Sequence, residues 1–343
     1  MKLRLQSRRY RLSFRAPVRT AHGLWREREG VVVRIEEAGG AVGYGEAAPI
    51  PHFGTETSDE VEEGIRVLGE WTNEEALSAV PARLGCLRHA LAAARAAAPE
   101  ETAATKDTLG VAALLPAGRD ALAAIATRAE AGFRTFKWKV GVGDLADELS
   151  LLDDVCGALP AGAKLRLDAN GAWERRAAER WLERCAERPV EFVEQPCFAD
   201  AAQGAARQRK AEELLLGLAG DFPTPLALDE SLVGEGDVAR WIAAGWPGVY
   251  VVKPSLIGNV SGVLAQLHKA KASVVFSSAL ETAVGAQAGL RLAFRWAGEP
   301  RALGFGVWPL FADARFDGPY VAPFLRREDV EALNPEAVWN VLS

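Results

Sequence analysis

Three acidic residues stand at the ends of three successive apolar segments of this sequence. Asp168 ends LRLD, Glu194 ends EFVE and Asp229 ends LALD. If the segments are adjacent parallel strands, the carboxylates converge on one rim without histidine or thiolate, a ligand set that suits a hard octahedral cation such as Mg²⁺. Each residue alone fits equally well as a helix N-cap or a solvated loop position. Three in succession favour the metal site.

Three lysines form a second group. Lys137 and Lys139 are two residues apart in FKWKV, so both side chains point to the same face of a strand, and Lys253 ends VYVVK. The acidic segments come between these two lysine segments, so closure into a barrel would place the ammonium groups on opposite sides of the metal. Burial and a neighbouring like charge both lower a lysine pKa toward the range of a general base. Lys139 is the stronger candidate for the base.

A solvated outer face is the ordinary place for a lysine on a strand. Here that placement would turn Trp138 into the barrel and leave Lys137 and Lys139 unpaired beneath the helices, so the interior is favoured. A metal that holds a substrate carboxylate between two lysines suits proton abstraction from the adjacent carbon. The metal would stabilise the resulting enediolate.

The elements that must position these residues begin near residue 110. Short apolar strand candidates there alternate with helical segments, which indicates parallel strands joined by helical crossovers and buried on both faces. A doubly wound sheet and a closed barrel both satisfy this alternation. The barrel is favoured because polar residues end nearly all of the strands. The eight candidates are VAALLPA, FRTFKWKV, AKLRLDAN, VEFVEQP, TPLALDE, GVYVVKP, SVVFSSA and RALGFGV.

The first hundred residues predict a separate α+β unit. Strand-like composition covers residues 4–18, 30–35 and 42–47, and helical patterns cover residues 58–68, a short segment from Asn73, and residues 87–98. We therefore expect an α+β unit at 1–105 and a barrel at 106–308. The C-terminal segment, 309–343, is expected to pack back on the α+β unit.

Composition excludes several classes of function. The net charge of the 343-residue chain is −6 and its basic residues are scattered, so neither a nucleic acid nor an anionic membrane surface is indicated as a partner. Apolar runs are far shorter than the ~20 residues that span a bilayer. The four cysteines form no C-x-x-C pair and no signal peptide is recognisable, which predicts a reducing, cytoplasmic protein. A small-molecule carboxylate is the expected partner, and a homo-oligomer is left open.

As a set, the elements K-W-K, D-A-N, E-Q-P, D-E and V-K-P, in this order and spacing, resemble the barrel of the muconate-lactonizing subgroup of the enolase superfamily. The resemblance extends over nearly the whole chain. It implies a modified (β/α)7β TIM-type barrel with an α+β capping domain, and Mg²⁺ as the cofactor. The implied metal ligands are Asp168, Glu194 and Asp229. The implied acid/base groups are Lys139 and Lys253, with Lys137 tuning Lys139.

The resemblance also implies supporting positions around the ligands. Asn170 and Glu230 correspond to residues that hold the metal ligands or the substrate in place, and two cap loops, residues 20–24 and 49–57, would close the pocket. His22 and His52 lie in those loops. For both histidines a surface role is at least as well supported as substrate contact.

The distal end of the pocket must select the reaction. Ser277 and Ser278 in SSALET resemble the Ser-Ser element of those dehydratases in the subgroup that form 2-succinylbenzoate, and their hydroxyls and backbone amides could hold a succinyl carboxylate. An ordinary turn after a strand is the alternative. The dipeptide epimerases of the subgroup carry an Asp-x-Asp near the end of the barrel, which LGFGVWPLFAD lacks.

The resemblance therefore implies a Mg²⁺-dependent carbon-oxygen lyase. The expected reaction is the syn dehydration of 2-succinyl-6-hydroxy-2,4-cyclohexadiene-1-carboxylate to 2-succinylbenzoate, a step toward menaquinone or phylloquinone. Lys139 would remove the proton and return one to the departing hydroxyl, while Lys253 would stabilise the enediolate from the opposite face. The alternatives are an N-acylamino acid racemase or dipeptide epimerase, which would use both lysines on one carbon, and a non-catalytic barrel that binds a metal and a carboxylate.

Overall fold

A computed structural model describes residues 2–20, 23–95, 106–199 and 203–342 of the chain. His22, in the first predicted cap loop, lies outside the described residues. So do residues 96–98, the end of the third helix predicted in the N-terminal unit.

The N-terminal unit is built on an antiparallel sheet with strand order β3-β2-β1-β4. Its strands are β1 (Leu3–Thr20), β2 (Gly23–Glu37), β3 (Val42–Ala47) and β4 (Trp71–Thr72). β1 and β2 form one long hairpin whose register runs from Leu3 opposite Glu37 to Thr20 opposite Gly23. The second predicted strand started at residue 30, which was too late, because the preceding residues are mostly exposed and lack the apolar alternation on which that prediction depended.

Helices cover one face of this sheet. They are α1 (Ser58–Leu68), α2 (Glu74–Ser78) and α3 (Gly85–Arg95). Thr57 and Glu60 close a capping box at the start of α1, and the Asn73 side chain caps α2. α3 lies so close to β3 that a Cβ at Gly45 would approach the Ala90 carbonyl oxygen to 1.9 Å, so only glycine fits there.

Within the described ranges, seven parallel strands form a curled sheet in the order β12-β11-β10-β9-β8-β7-β6. They are β6 (Ala113–Leu115), β7 (Thr135–Lys139), β8 (Lys164–Asp168), β9 (Val190–Glu194), β10 (Leu226–Leu228), β11 (Val249–Val252) and β12 (Ser273–Phe276). Instead of the predicted eighth strand, single bridges join Leu303 to Val111 at one edge and Gly304 to Ser277 at the other. These bridges close the barrel.

A helix follows each strand of the barrel. They are α4 (Asp120–Glu130), α5 (Leu145–Ala158), α6 (Arg175–Cys185), α7 (Ala205–Asp221), α8 (Glu235–Ala243), α9 (Val260–Lys269) and α10 (Ala283–Arg295). The alternation of seven strands and seven helices with a closing segment confirms the predicted (β/α)7β barrel and its separate antiparallel N-terminal domain. Among the described residues, every helix falls short of the length and apolarity needed to cross a membrane.

The layers of the barrel decide which way the lysine strand faces. Trp138 is fully buried in the cluster between strands and helices, where its ring meets the Trp181 ring of α6 at a centroid distance of 6.2 Å. Side chains alternate along a strand, so Lys137 and Lys139 face the barrel interior. A separate small cluster of Phe192, Ala227, Val249, Val251 and Val275 forms its own buried core.

The C-terminal segment contacts β1. Its elements are β13 (Phe324–Arg326), α11 (Arg327–Glu331) and α12 (Pro335–Val341), and β13 pairs antiparallel with β5 (Thr108–Gly110). The Arg15 amide donates to the Leu310 carbonyl at 2.8 Å, and the Ala312 amide donates to the Ser13 carbonyl at 2.9 Å. The Arg8 guanidinium lies 4.4 Å from the Trp339 ring. The predicted domain boundaries themselves stay a prediction.

His89 in α3 makes the stability of the fold depend on pH. Burial lowers its pKa from 6.5 to about 4, although a hydrogen bond to the Ile257 backbone opposes the shift. The unfolded chain binds this proton more readily, so the contribution present above pH 6.5 is lost as pH falls toward 4. The free energy of unfolding of the wild type should fall between pH 7 and 4.5, and His89 should account for about 2 to 3 kcal/mol of that fall. We expect His89→Gln to remove this part of it. Urea unfolding at the two pH values measures this, with exposed His268→Gln as control, and equal losses in wild type and His89→Gln would contradict it.

Candidate active site

The three predicted carboxylates lie at the carboxyl ends of adjacent strands. Asp168 and Glu194 are the last residues of β8 and β9 and stand opposite each other in register, and Asp229 directly follows β10. All three are at most 5% exposed. Buried carboxylates in this arrangement repel one another and need compensating positive charge.

Lys137 supplies part of that charge. Its ammonium lies 3.0 Å from Asp168 Oδ2 and 2.7 Å from Glu194 Oε1. Burial lowers the pKa of Lys137, but the charges of Asp168 and Glu194 outweigh burial, so the pKa is raised above its usual value. The expectation of a lowered lysine pKa therefore does not describe Lys137 in this arrangement.

The other two lysines lie on opposite sides of the barrel mouth. Lys139 ends β7 and donates to Asn170 Oδ1, whereas Lys253 follows β11 and pairs with Asp229. β8, β9 and β10 separate β7 from β11 in the sheet. Burial lowers the pKa of Lys253 to about 8, and its ammonium lies 5.5 Å from the centroid of the Phe53 ring.

Asn170 and Glu230 connect to the carboxylates and lysines. Asn170 Nδ2 donates to Glu230 Oε1 at 2.9 Å, while the Asn170 amide donates to Asp168 Oδ1 at 3.2 Å. Asn170 has φ +44°, a region that asparagine tolerates better than most residues. Burial, then the charge of Asp168, raises the pKa of Glu230 to about 8, and its buried Oε2 has no hydrogen-bond partner.

This donor set fits a divalent cation. Asp168, Glu194 and Asp229 offer only oxygen, they are buried together, and the unpartnered oxygen of Glu230 lies in the same group. Among the described residues, no three His, Cys, Asp or Glu side chains stand at metal-binding positions, and Lys137 and Lys253 pair with the carboxylate oxygens of Asp168, Glu194 and Asp229. The lysines thus occupy positions that attract a cation.

A cavity of ≈ 170 Å³ opens above the rim. Lys139 and Lys253 both line it, as do Asp168 and Asp229. The capping domain supplies a largely apolar wall of Val18, Trp25, Ile50 and Phe53, in which His52 also lies. The cavity therefore joins charged groups on the barrel side to aromatic and aliphatic side chains on the other. His52 packs edge-on against both Trp25 and Phe53, which places it in this wall.

Ser277 and Ser278 line the end of the cavity after β12. Ser277 Oγ donates to the Gly304 carbonyl at 3.2 Å, and Ser278 Oγ accepts from the Leu280 amide at 2.9 Å. A Cβ at Gly304 would lie 2.5 Å from Ser277 Oγ. The closing segment therefore holds the first serine in place by direct contact.

Two family models match the chain. The model of the enolase C-terminal domain-like family covers residues 120–321, and the model of the MenC N-terminal domain covers residues 4–96. The o-succinylbenzoate synthase of Thermosynechococcus vestitus is 38% identical over 311 residues, which are 89% of this chain and 92% of that protein. The chain belongs to the o-succinylbenzoate synthase family of the enolase superfamily. The family resemblance inferred from its lysine and carboxylate motifs is confirmed.

Other members of the o-succinylbenzoate synthase family are also similar to this chain. The enzyme of Yersinia enterocolitica is 30% identical over 292 residues, covering 83% of this chain and 84% of that protein. The crystal structure of the synthase from Thermosynechococcus elongatus, complexed with magnesium in its active site, has a TM-score of 0.80 and 35% identity. It covers 93% of this chain and 96% of that chain.

Epimerases of the superfamily share the fold alone. The L-Ala-D/L-Glu epimerase of Bacillus subtilis has a TM-score of 0.81 at 21% identity and covers 94% of this chain and 95% of that chain. A similar backbone at that identity does not distinguish the reactions. The difference between the epimerase and synthase reactions must therefore come from side chains around the cavity.

Gln195 is a residue of this family member whose role the sequence did not reveal. It is fully buried with φ +36°, and its Oε1 accepts from the Asp229 amide at 2.9 Å and the Ser231 amide at 3.3 Å. Its Nε2 donates to the Cys197 carbonyl and to Ser231 Oγ, both at 2.8 Å. The side chain links the segment after Glu194 to the segment that carries Asp229. In the sequence, the position of Gln195 between Glu194 and Pro196 was the available hint of this role.

We expect Gln195→Leu to weaken Mg²⁺ binding by about tenfold or more, because groups that orient metal ligands typically contribute 10- to 100-fold in affinity. Isothermal titration calorimetry with Mg²⁺ measures this. Gln287→Leu is the matched control, since Gln287 is also buried and donates to two backbone carbonyls, those of Val330 and Leu333, away from the site. Equal losses in the two variants would show that Gln195 acts only through general stability.

Proposed function

We propose that this chain catalyses the syn dehydration of 2-succinyl-6-hydroxy-2,4-cyclohexadiene-1-carboxylate to 2-succinylbenzoate, the o-succinylbenzoate synthase reaction. The observation that carries the proposal is the pair Lys139 and Lys253 on opposite sides of a cavity rimmed by buried carboxylates. It occurs in a chain 38% identical to a synthase over nearly its whole length. The enzyme is a Mg²⁺-dependent carbon-oxygen lyase.

Asp168, Glu194 and Asp229 would hold the Mg²⁺, supported by their shared rim, their burial and their all-oxygen donor set. When bound, Mg²⁺ supplies electrostatic stabilisation of the negative charge that develops on the substrate carboxylate. Asn170 and Glu230 support the arrangement through their hydrogen bonds to each other and to the Asp168 segment.

Lys139 is the proposed general base. Its Nζ takes the proton from C1 of the substrate, and then gives a proton to the C6 hydroxyl as the C–O bond breaks and water leaves. In a syn elimination both groups depart from one face, so a single lysine serves both steps. Lys253, on the opposite side, places its positive charge against the developing enediolate, and Lys137 supports Lys139 from two residues along the same strand.

The distal part of the substrate is proposed to meet Ser277 and Ser278. Their hydroxyls offer donors for the succinyl carboxylate at the far end of the cavity, whereas the backbone amides of residues 277–280 already donate within the protein. The apolar wall formed by Trp25, Ile50 and Phe53 suits the six-membered ring and keeps water away from it.

The proposed setting is quinone synthesis in the cytoplasm, with 2-succinylbenzoate passing toward menaquinone or phylloquinone. The free thiol state of Cys86, Cys156, Cys185 and Cys197 supports a reducing compartment. We also propose the domain division 1–105, 106–308 and 309–343. The pairing of β5 with β13 and the contacts of the C-terminal segment with β1 support it.

Turnover of the cyclohexadiene substrate by the wild-type protein tests the reaction itself, followed by ultraviolet absorbance as the ring becomes aromatic. We expect turnover with Mg²⁺ and its loss on addition of EDTA, because without the cation the substrate carboxylate meets the negative charge of the rim and its developing charge is not stabilised. Restoration by excess Mg²⁺ is the control for the chelator. Undiminished turnover in EDTA would contradict the metal requirement.

We expect Lys139→Ala to lower kcat by about 10² to 10⁴-fold, the usual contribution of a positioned acid/base group. Lys106→Ala is the matched control, because the Lys106 ammonium donates to the Trp296 and Gly298 carbonyls, away from the cavity. If the wild type is inactive on the cyclohexadiene but exchanges deuterium at the α-carbon of an N-acylamino acid or dipeptide, the activity is that of a racemase or epimerase.

A further inference from the structure

Glu46, near the end of β3 in the capping domain, contacts the start of α10 in the barrel domain. Its side chain is fully buried, and its carboxylate accepts from the Thr282 amide at 2.9 Å, from the Gly285 amide at 2.9 Å and from the Thr282 hydroxyl. Thr282 is the N-cap of α10, and Gly285 lies in its first turn. A carboxylate of one domain therefore caps a helix of the other.

Elementary electrostatics makes this contact strong. The first amides of a helix have no partners within the helix, and a negative charge placed there is stabilised by the helix dipole. The Tyr10 hydroxyl also donates to Glu46, and burial, then the charge of Glu46, raises the pKa of Tyr10, so the phenol stays protonated and keeps donating. Four donors thus converge on one buried carboxylate.

Two glycines make room for this contact. A Cβ at Gly285 would lie 3.1 Å from Glu46 Oε2, and a Cβ at Gly30 would lie 2.4 Å from the Tyr10 hydroxyl oxygen. Any larger residue at either position would fill the space that Glu46 and Tyr10 occupy. The Glu46 interaction is therefore a built feature of the domain interface.

Arg28 ties the same stretch of the capping domain to the barrel. It is 1% exposed and donates to the Ala48 carbonyl, to the Pro49 carbonyl at 2.7 Å and to the Ala279 carbonyl at 3.2 Å. Residues 46–49 lead directly into the cap loop that carries His52 and Phe53 of the cavity wall. Residues 46–49 therefore connect the cap loop to the barrel domain.

The barrel residues held in this way form the recognition turn, residues 277–282, which carries Ser277 and Ser278. The closing segment holds the start of the turn through Gly304, and Glu46 holds its end at Thr282. Between these anchors Leu280 has φ +60°, and the Glu281 carboxylate accepts from the Ala279 amide at 2.5 Å. A turn with a strained residue keeps its shape when both ends are fixed.

We propose that Glu46 is a positioning residue for substrate recognition, which sets the recognition turn against the cap loop so that the two serines meet the distal carboxylate. This inference rests on the proposed function. Glu46 lines neither the cavity nor the carboxylate rim, so its effect passes through the turn and not through the lysines.

Glu46→Gln tests the proposal, because the amide keeps the size of the side chain but removes its charge and replaces one acceptor with a donor. We expect KM for the cyclohexadiene substrate to rise about tenfold while kcat changes by less than about threefold, since binding geometry is lost and proton transfer is not. The dissociation constant of 2-succinylbenzoate should rise in parallel, and Mg²⁺ affinity should stay unchanged.

Glu191→Gln is the matched control. Glu191 is another carboxylate with little exposure, its side chain being 7% exposed, and it is bound by Arg166 and Arg301 near the start of β9, at the end of the strand opposite Glu194. Its loss should lower stability without raising KM. A rise of KM as large as that of Glu46→Gln would reduce the Glu46 effect to general destabilisation and overturn the proposal.

Hydrogen exchange at the Thr282 and Gly285 amides measures the contact without substrate. Faster exchange in Glu46→Gln with an unchanged KM overturns the positioning role and leaves the proposed function intact, whereas an inactive wild type overturns the proposed function itself. Tyr10→Phe is the second variant should Glu46→Gln fail to fold, because it removes one donor and keeps the ring. We expect its KM to rise about two- to threefold, and an unchanged KM there also overturns the proposal.

Discussion

Mutual repulsion among carboxylates at the mouth of the barrel is the constraint on which this structure depends. Asp168, Glu194 and Asp229 end adjacent strands, and Glu230 stands beside them, nearly all out of contact with water. Such a group needs compensating positive charge or protonation, and Lys137 and Lys253 pair with its oxygens. The barrel supplies the rigid rim, and the same charges that must be balanced for folding are the ones that attract a metal and an acidic substrate.

Sequence patterns predicted the parts of this arrangement that depend on local periodicity. A strand buried on both faces reads as an apolar run, and the polar residue that ends it marks the rim, which is how Asp168, Glu194 and Asp229 could be placed. Alternation about Trp138 likewise decided the direction of Lys137 and Lys139. The eighth strand was predicted too long, because RALGFGV pairs with its neighbours through bridges at residues 303 and 304 and not through a continuous ladder.

The residues that sequence patterns could not reveal act across long separations along the chain. Gln195 bonds to backbone 34 and 36 residues away, and Glu46 bonds to a helix 236 and 239 residues away. Neither spacing leaves a periodic signal. Buried glutamate and glutamine in apolar surroundings hint at a partner, but the identity of the partner depends on how two domains meet, which no window of local sequence contains.

The isolated bridges that close the barrel lie apart from the strands that carry its charged groups. The continuous ladder from β7 to β11 carries the lysines and the carboxylates, and each strand there is fixed by both neighbours. The segment around Gly304 joins both edges of the sheet through backbone hydrogen bonds at Leu303 and Gly304, and it lines the cavity beside Ser277. A substitution in the closing segment can therefore change the pocket beside Ser277 without altering a strand that carries a carboxylate.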